Sequence, residues 1–241
     1  MIYNFEPWDD WHETTLDNAK AIGAIMGWEI EDIAFSGFCS QGDGASFTGH
    51  MGYAKNCVKA MREYAPLDTE LHSIARQWQE FQKSCFYGYR AQIARKHHRY
   101  SHENTVYINS GEIVSSNGYR DATEAQDDTA ITIARDFMGW IYRTLECEYE
   151  YQRAWEASRR WQDLAEDAAR AKQAARDLIR DIRRAPCGWS DGIHRALRAN
   201  VKGHLSDWRD ALAMRGGIAD DFYYSSEGET YSIEQFAAEN L

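Results

Sequence analysis

The chain has 241 residues, of which 44% are hydrophobic and 13% aromatic, and its formal net charge is −11. This composition supports a packed core of one domain, or of one domain with an appendage, and argues against intrinsic disorder. The acidic balance argues against a nucleic-acid partner, because neutralising phosphates needs Lys and Arg. No apolar run approaches the roughly 20 residues that span a bilayer, so we expect no membrane partner.

The N-terminus and the cysteines bear on the compartment. The start, Met1 to Pro7, has neither a basic nor an apolar region, which predicts that there is no signal peptide. The five cysteines are an odd number without a Cys-x-x-Cys pair, a pattern typical of reduced thiols rather than of disulfides or structural zinc. We therefore predict a cytoplasmic protein that needs no metal and no cofactor.

The first half of the chain alternates between helical and extended patterns. Apolar residues three or four apart indicate helices, and alternation with a period of two indicates half-buried strands. In chain order these patterns predict a helix over 14–26, strands over 28–38 and 45–53, helices over 55–64 and 67–81, and strands over 85–93 and 105–109. Thr14 and Asp17 resemble a capping box for the first helix. The turn-forming segment Ser40 to Gly44 lies between the first two strands, which predicts a β-hairpin with this segment at its tip.

Helical patterns dominate the second half. A polar loop is predicted over 110–125, followed by a long helix from about Asp127 whose buried face holds Ile131, Ala134, Met138, Ile141 and Leu145. Apolar residues from Trp161 to Ile182 are spaced three and four apart, which indicates an a/d seam of three heptads. A break at 185–188, a second helix with its apolar face from Ile193 to Leu212, and an end at Gly216 and Gly217 predict a helical hairpin. A small β-structure over 222–231 and a closing helix over 233–241 complete the prediction.

These elements predict an α+β fold with a mainly antiparallel sheet of four to six strands, flanking helices and a long inserted antiparallel helical hairpin. We divide the chain into an α+β body over 1–155, a hairpin arm over 156–215, and a terminal strand and helix over 216–241 that returns to the body. Residues 158–215 carry a net charge of +5, so the remainder carries −16.

The arm is a candidate interaction surface. Trp161 and Trp208 are large anchors of the kind that dominates interface energetics. The basic balance of the arm suits an acidic partner, including the body of a second copy, so a homo-oligomer through the arm is one expectation. The alternative is that each Trp closes one layer of the hairpin's own thin core.

The first candidate site is the loop between the first two strands. Ser40, Gln41, Asp43 and Ser46 present hydroxyl, amide and carboxylate groups, and the two glycines let the backbone approach a ligand closely. This chemistry suits a binding loop for a polar ligand or for a partner's backbone. The alternative is that Gly-Asp-Gly makes a turn that Ser40 and Gln41 hold in place.

The second candidate site is a group of histidines, His97, His98 and His102, with Tyr100 among them. A histidine can act as an acid or base near neutral pH, and it could form a hydrolytic triad with Asp43 and with Ser40 or Ser46. There is no G-x-S-x-G motif, and the aspartate and serine lie on one loop. The alternative is a solvated hairpin tip. Because the Ser40 to Gly44 loop and the Tyr100 to His102 segment are both polar hairpin-edge segments, we expect them to lie near each other on one surface. No spacing among these histidines matches a metal-ligand motif.

A third candidate site, the Glu-Tyr repeat, offers no metal set. Glu146, Glu148 and Glu150 fall on different faces of a helix, so they do not converge as a di-metal site requires. We interpret this repeat as a helix with half-buried tyrosines.

The segment from Phe35 to Phe47, FSGFCSQGDGASF, resembles a family of mostly uncharacterised bacteriophage and prophage proteins with an S-G-F-x-S-Q-G-D-G-A-S-F signature. Some members have been labelled antitoxin-like. The resemblance extends to Arg99–His102 and to residues 140–151, whereas residues 156–215 look like an insertion. It implies a viral origin and action in the cytoplasm of a bacterial host cell, and it implies no reaction.

We predict a phage-encoded accessory protein that binds and neutralises a host protein, a component of a defence or toxin system. One alternative is an enzyme or sequestering protein that acts on a nucleotide-like molecule through the loop and His102. Another is a structural or assembly role through the arm. The sequence does not decide whether the chain is an enzyme, and it favours a binding protein. If the protein binds a host protein, we expect an exposed aromatic patch. If it acts on a small ligand, we expect a deep pocket where the loop meets Tyr100 or His102.

Overall fold

The computed structural model describes residues 10–38, 40–96, 100–116, 118–184, 191–219, 222–224, 230–232 and 235. Its elements are α1 Glu13–Met26, β1 Trp28–Ser36, β2 Gly44–Met51, α2 Cys57–Tyr64, α3 Thr69–Ser84, β3 Tyr89–Arg95, a 3-10 turn Glu103–Thr105, β4 Val106–Ser115, β5 Gly118–Asp121, α4 Glu124–Arg184, α5 Asp191–Ala219, β6 Phe222–Tyr224 and β7 Thr230–Ser232. The chain forms two compact units, Asp9–Glu148 and a second from Tyr149 onward. The domain boundaries drawn from the sequence stay predictions.

The first unit is built on a five-stranded sheet in the order β1-β2-β3-β4-β5 with every neighbouring pair antiparallel. This arrangement confirms the predicted α+β class. The predicted first hairpin is present, with Ser36 opposite Gly44 and Trp28 opposite Met51. The pairing shifts between Ile30 and Asp32, so β1 carries one extra residue there, a β-bulge.

The core of this unit lies between one face of the sheet and the helices. At its centre the Trp28 ring lies 5.2 Å from that of Trp78 and 5.6 Å from that of Phe137. The indole N–H of Trp78 donates to the carbonyls of Met26 and Gly52, both at 3.1 Å, so this polar atom is satisfied inside the core. The predicted buried face of the long helix, from Ile131 to Leu145, is confirmed because its five residues are all buried.

Two predictions about helix starts are wrong. The capping box of Thr14 and Asp17 does not form, because a turn from Asp10 starts α1 earlier and makes His12 the N-cap. Leu67 is not on a buried face but 93% exposed. It precedes the N-cap Asp68, whose carboxylate accepts the N–H of Leu71 at 2.9 Å.

Two predictions about strands also need correction. The strand predicted over 85–93 begins only at Tyr89, because residues 85–87 form the C-terminal cap of α3. The loop predicted over 110–125 is wrong, since β4 continues to Ser115 and β5 pairs with it over 118–121. Exposed polar side chains cover most of this edge hairpin, which is why the sequence resembles a loop.

In the second unit α4 and α5 pack as an antiparallel hairpin. Leu164 and Ala168 of α4 form a buried cluster with Ala211 of α5. The predicted seam from Trp161 to Ile182 is confirmed where its side chains are described. The predicted apolar face of α5 is wrong at Leu212, which is 40% exposed, and Ala211 packs against α4 in its place. The helix also passes Gly216 and Gly217 and ends at Ala219. β6 and β7 pair with each other, while the break at 185–188 and the closing helix lie outside the described residues.

A candidate binding surface at the hairpin tip

The β1–β2 loop and the segment after β3 lie against each other, as the sequence predicted. A methyl group added at Gly42 would lie 3.8 Å from Cδ2 of Tyr100, and one added at Gly44 would lie 3.0 Å from Cδ2 of His102. The Ser36 hydroxyl donates to the Ser101 carbonyl at 2.9 Å. We call residues 40–44 and 100–103 together the tip surface.

Asp43 determines the shape of the loop. The Ser40 N–H donates to Oδ2 of Asp43 at 2.7 Å, and the Asp43 N–H donates to the Ser40 carbonyl at 3.1 Å. Gly42 has φ +102°, a left-handed conformation that favours glycine. The contacts therefore agree with a turn-forming role for Asp43 and leave Ser40 and Gln41 exposed on the outside of the loop.

His102 is engaged in the same way within its own segment. Its Nδ1 accepts the N–H of Asn104 at 3.1 Å, which caps the 3-10 turn. A carboxylate oxygen of Glu103 lies 3.2 Å from the same nitrogen. The Nδ1 atom of His102 is therefore engaged by two groups of its own segment. His97 and His98 lie outside the described residues.

Ser46 does not present its hydroxyl with the loop. It lies on β2, fully buried, and its Oγ accepts from Nε of Arg95 at 2.8 Å. Arg95 also donates to the Ser46 carbonyl at 3.1 Å and pairs with Asp32 at 3.0 Å. The Ser46 hydroxyl therefore belongs to a network that joins three strands, and a triad that uses it is wrong.

An aromatic cluster borders the loop. The Phe38 ring stacks on that of Tyr142 at 5.5 Å and lies 6.0 Å from Phe35, which lies 6.0 Å from Trp11. The Tyr142 hydroxyl donates to the Gly37 carbonyl at 3.2 Å and so ties α4 to the loop. All four rings are half-buried. The sequence reasoning missed this cluster as a functional feature, although Phe35, Phe38 and Tyr142 fall in the segments that carry the family resemblance.

Several clefts lie on other parts of the described molecule. One follows the uncovered face of the sheet beside His50 and Arg90, one lies beside α1, one separates α3 from α4, and one lies in the helical hairpin. Among the described residues, no group of three or more His, Cys, Asp or Glu could hold a metal ion. No described helix is long and apolar enough to cross a membrane.

The two tryptophans of the arm pack within the hairpin. The guanidinium of Arg215 lies 3.6 Å above the Trp161 ring, and the Lys172 ammonium lies 5.6 Å from that of Trp208. These contacts favour the alternative in which each ring closes a layer of the hairpin. A groove between the helices stays open, with an apolar floor and an acidic rim, lined by Leu164, Asp167, Arg170, Ala171, Ala174, His204, Asp207, Asp210, Ala211 and Met214.

The fold and these surfaces define an α+β protein with an antiparallel sheet and a helical hairpin. The chain belongs to the family described as a domain of unknown function (DUF8835), whose model matches residues 11–154. The match takes in the sheet, the tip surface and the first part of α4. No curated protein and no solved structure matches the chain.

Proposed function

We propose that this protein is a phage-encoded accessory protein that binds a host protein, a component of a defence or toxin system, through the tip surface. The main support for this proposal is the shape of the β1–β2 loop, which the bond from the Ser40 N–H to Asp43 holds. The loop presents the polar groups of Ser40 and Gln41 beside Tyr100, which is 39% exposed. A pre-shaped loop loses little conformational entropy on binding. Aromatic side chains such as Tyr100 are typical anchors of protein interfaces.

The chemistry of the loop supports binding in preference to catalysis. The Asp43 carboxylate accepts from a backbone N–H of its own loop, and Nδ1 of His102 caps a turn. The bonds that the structure describes for these two groups do not include a serine hydroxyl, whereas a hydrogen bond of that kind is the arrangement that activates a nucleophile. The half-buried rings beside the loop offer the apolar area that a protein partner buries, and the resemblance of residues 35–47 to phage proteins supports the viral origin.

Variants of the exposed residues test this proposal. We expect the double substitution of Gln41→Ser and Tyr100→Ser to lose the captured host protein in a pull-down from a bacterial lysate, identified by mass spectrometry. Tm should change little, because both side chains are exposed. Tyr119→Ser is the matched control, since Tyr119 is 78% exposed on the edge strand β5. If the double variant captures the same host proteins as wild type, the tip surface is not the binding site.

The groove of the hairpin favours a second candidate function, assembly through the arm. Met214 lines this groove and is 43% exposed, and Leu212, also on α5, is 40% exposed. Seam positions occupied by Ala bury little apolar area, so the hairpin's own core is thin. Such a helix pair gains stability from a third packing surface. The arm deletion described in the Discussion tests this function.

A further inference from the structure

The C-terminus of α3 ends in a cap that normally contains glycine. The Phe86 N–H donates to the Lys83 carbonyl at 3.1 Å and the Tyr87 N–H donates to that of Gln82 at 2.6 Å, which together form a Schellman motif. Phe86 is the C′ residue of this motif, with φ +54°, and Tyr87 follows with φ +61°. Glycine is favoured at C′ because a Cβ strains the left-handed backbone. The chain therefore uses an unfavourable residue where a better one exists.

The Phe86 side chain contributes little packing to the described part of the fold. It is 88% exposed, whereas the Tyr87 ring lies 4.8 Å from that of Tyr53 and gains a contact. A strained backbone combined with an exposed large apolar ring lowers stability in two ways. Such sites persist where the side chain serves function rather than folding. Phe86 thus has the properties of an anchor that binds outside its own chain.

A complementary cleft lies directly beside this anchor. It separates α3 from α4 and is lined by Gln77, Glu80, Phe81, Ser84, Ala125, Gln126, Asp128, Thr129, Thr132 and Ile133. The cleft begins at Ser84, two residues before Phe86, and has apolar groups together with the carboxylates of Glu80 and Asp128. Within the described residues, neither carboxylate makes an ion pair, and neither does the exposed ammonium of Lys83.

We propose that two copies of this chain associate about a two-fold axis, with Phe86 of each copy seated in the α3–α4 cleft of the other. Phe86 and the α3–α4 cleft lie next to each other on one surface patch. Two copies of such a patch can bind each other, and this self-complementarity is what a two-fold interface requires. The charges agree with this pairing, because Lys83 beside the anchor would face the acidic rim that Glu80 and Asp128 form in the other copy. The patch lies at the Met51 end of β2, whereas the tip surface lies at the Gly44 end. The proposal is therefore independent of the proposed function.

Phe86→Gly separates this role from a structural one. Sedimentation velocity on the full chain over a concentration series should show a wild-type dimer. For Phe86→Gly we expect a dissociation constant at least about 30-fold higher, the loss typical of a buried aromatic anchor. At a dilution where wild type is monomeric, the variant should unfold at the same or a higher temperature, because glycine relieves the strain. Leu67→Ser, which removes an equally exposed side chain before α3, should leave the dimer intact.

A mixing experiment tests whether the α3–α4 cleft binds Phe86 of the other copy. Thr129→Trp fills the cleft and should also give monomers. Mixed with Phe86→Gly, it should form a heterodimer through the one anchor and the one cleft that remain intact, observed by native mass spectrometry. A wild type that is monomeric throughout the series, a dimer that Phe86→Gly leaves unchanged, or a mixture without heterodimer would each overturn the proposal.

Discussion

Replacing Asp43 by Ala should destabilise the protein, because the carboxylate is part of the loop's own structure. The substitution removes the acceptor of the 2.7 Å bond from the Ser40 N–H. Hydrogen bonds to charged groups contribute about 1.5–3 kcal/mol, but Ser40 is exposed and water can replace the acceptor. We therefore expect a loss of about 1 kcal/mol, which corresponds to a fall in Tm of roughly 2–4 °C for a protein of this size.

Asp43→Asn is the matched control, since it keeps a side-chain oxygen and removes only the charge. It should lose about half as much stability as the alanine variant. Thermal and urea denaturation of both variants, combined with the host pull-down, measures the effect. An unchanged Tm together with a lost partner would contradict the reasoning and would assign the Asp43 carboxylate directly to ligand contact.

Three further outcomes follow from the packing. Burial and the hydrogen bond to Asp127 raise the pKa of Tyr89 above its usual value of 10. Tyr89 therefore makes its full contribution to the free energy of unfolding below about pH 10, and this contribution is lost as the pH rises further. Tyr89→Phe should flatten this loss of stability in urea denaturation measured over a pH series. Gly111→Ala would place a methyl group on the Asp127 carboxylate and should cost about 1–3 kcal/mol in chemical denaturation, whereas Gly203→Ala, which has open space in α5, should stabilise slightly. Replacing residues 158–213 by a short Gly-Ser linker should leave cooperative thermal unfolding of the first unit intact and abolish arm-mediated assembly, and light scattering that shows an unchanged native mass would exclude that assembly role.

The sequence predicts the elements whose signal is local. The hairpin over residues 28–53 followed from alternation and from the turn chemistry of residues 40–44. The buried faces of α3 and α4 followed from apolar residues three and four apart. The adjacency of the tip loop and residues 100–102 was also predicted from the sequence, because both belong to hairpin ends.

Features that depend on contacts distant in sequence could not be predicted. The Ser46 hydroxyl is buried because Arg95, 49 residues away, donates to it, and alternation alone assigned it to a half-exposed strand near a loop. The β4–β5 hairpin has few apolar residues, so composition resembled a loop while the pairing with β3 determined the structure. Phe86 carries no glycine signal for the cap that it forms, and a helix end was therefore interpreted as the start of a strand.

The bulge in β1 keeps the buried face of this strand continuous across an extra residue. Trp28 and Ile30 precede the extra residue and Ile33 follows it, and all three are buried. Side chains alternate between the faces of a regular strand, so removing Glu31 would make Ile30 and Asp32 neighbours and still direct Asp32 outward and Ile33 inward. The fold should therefore tolerate the loss of this one residue, and the tip loop would emerge on the same side of the sheet. A one-residue insertion or deletion that leaves the bulge in place would instead turn the distal half of β1 over.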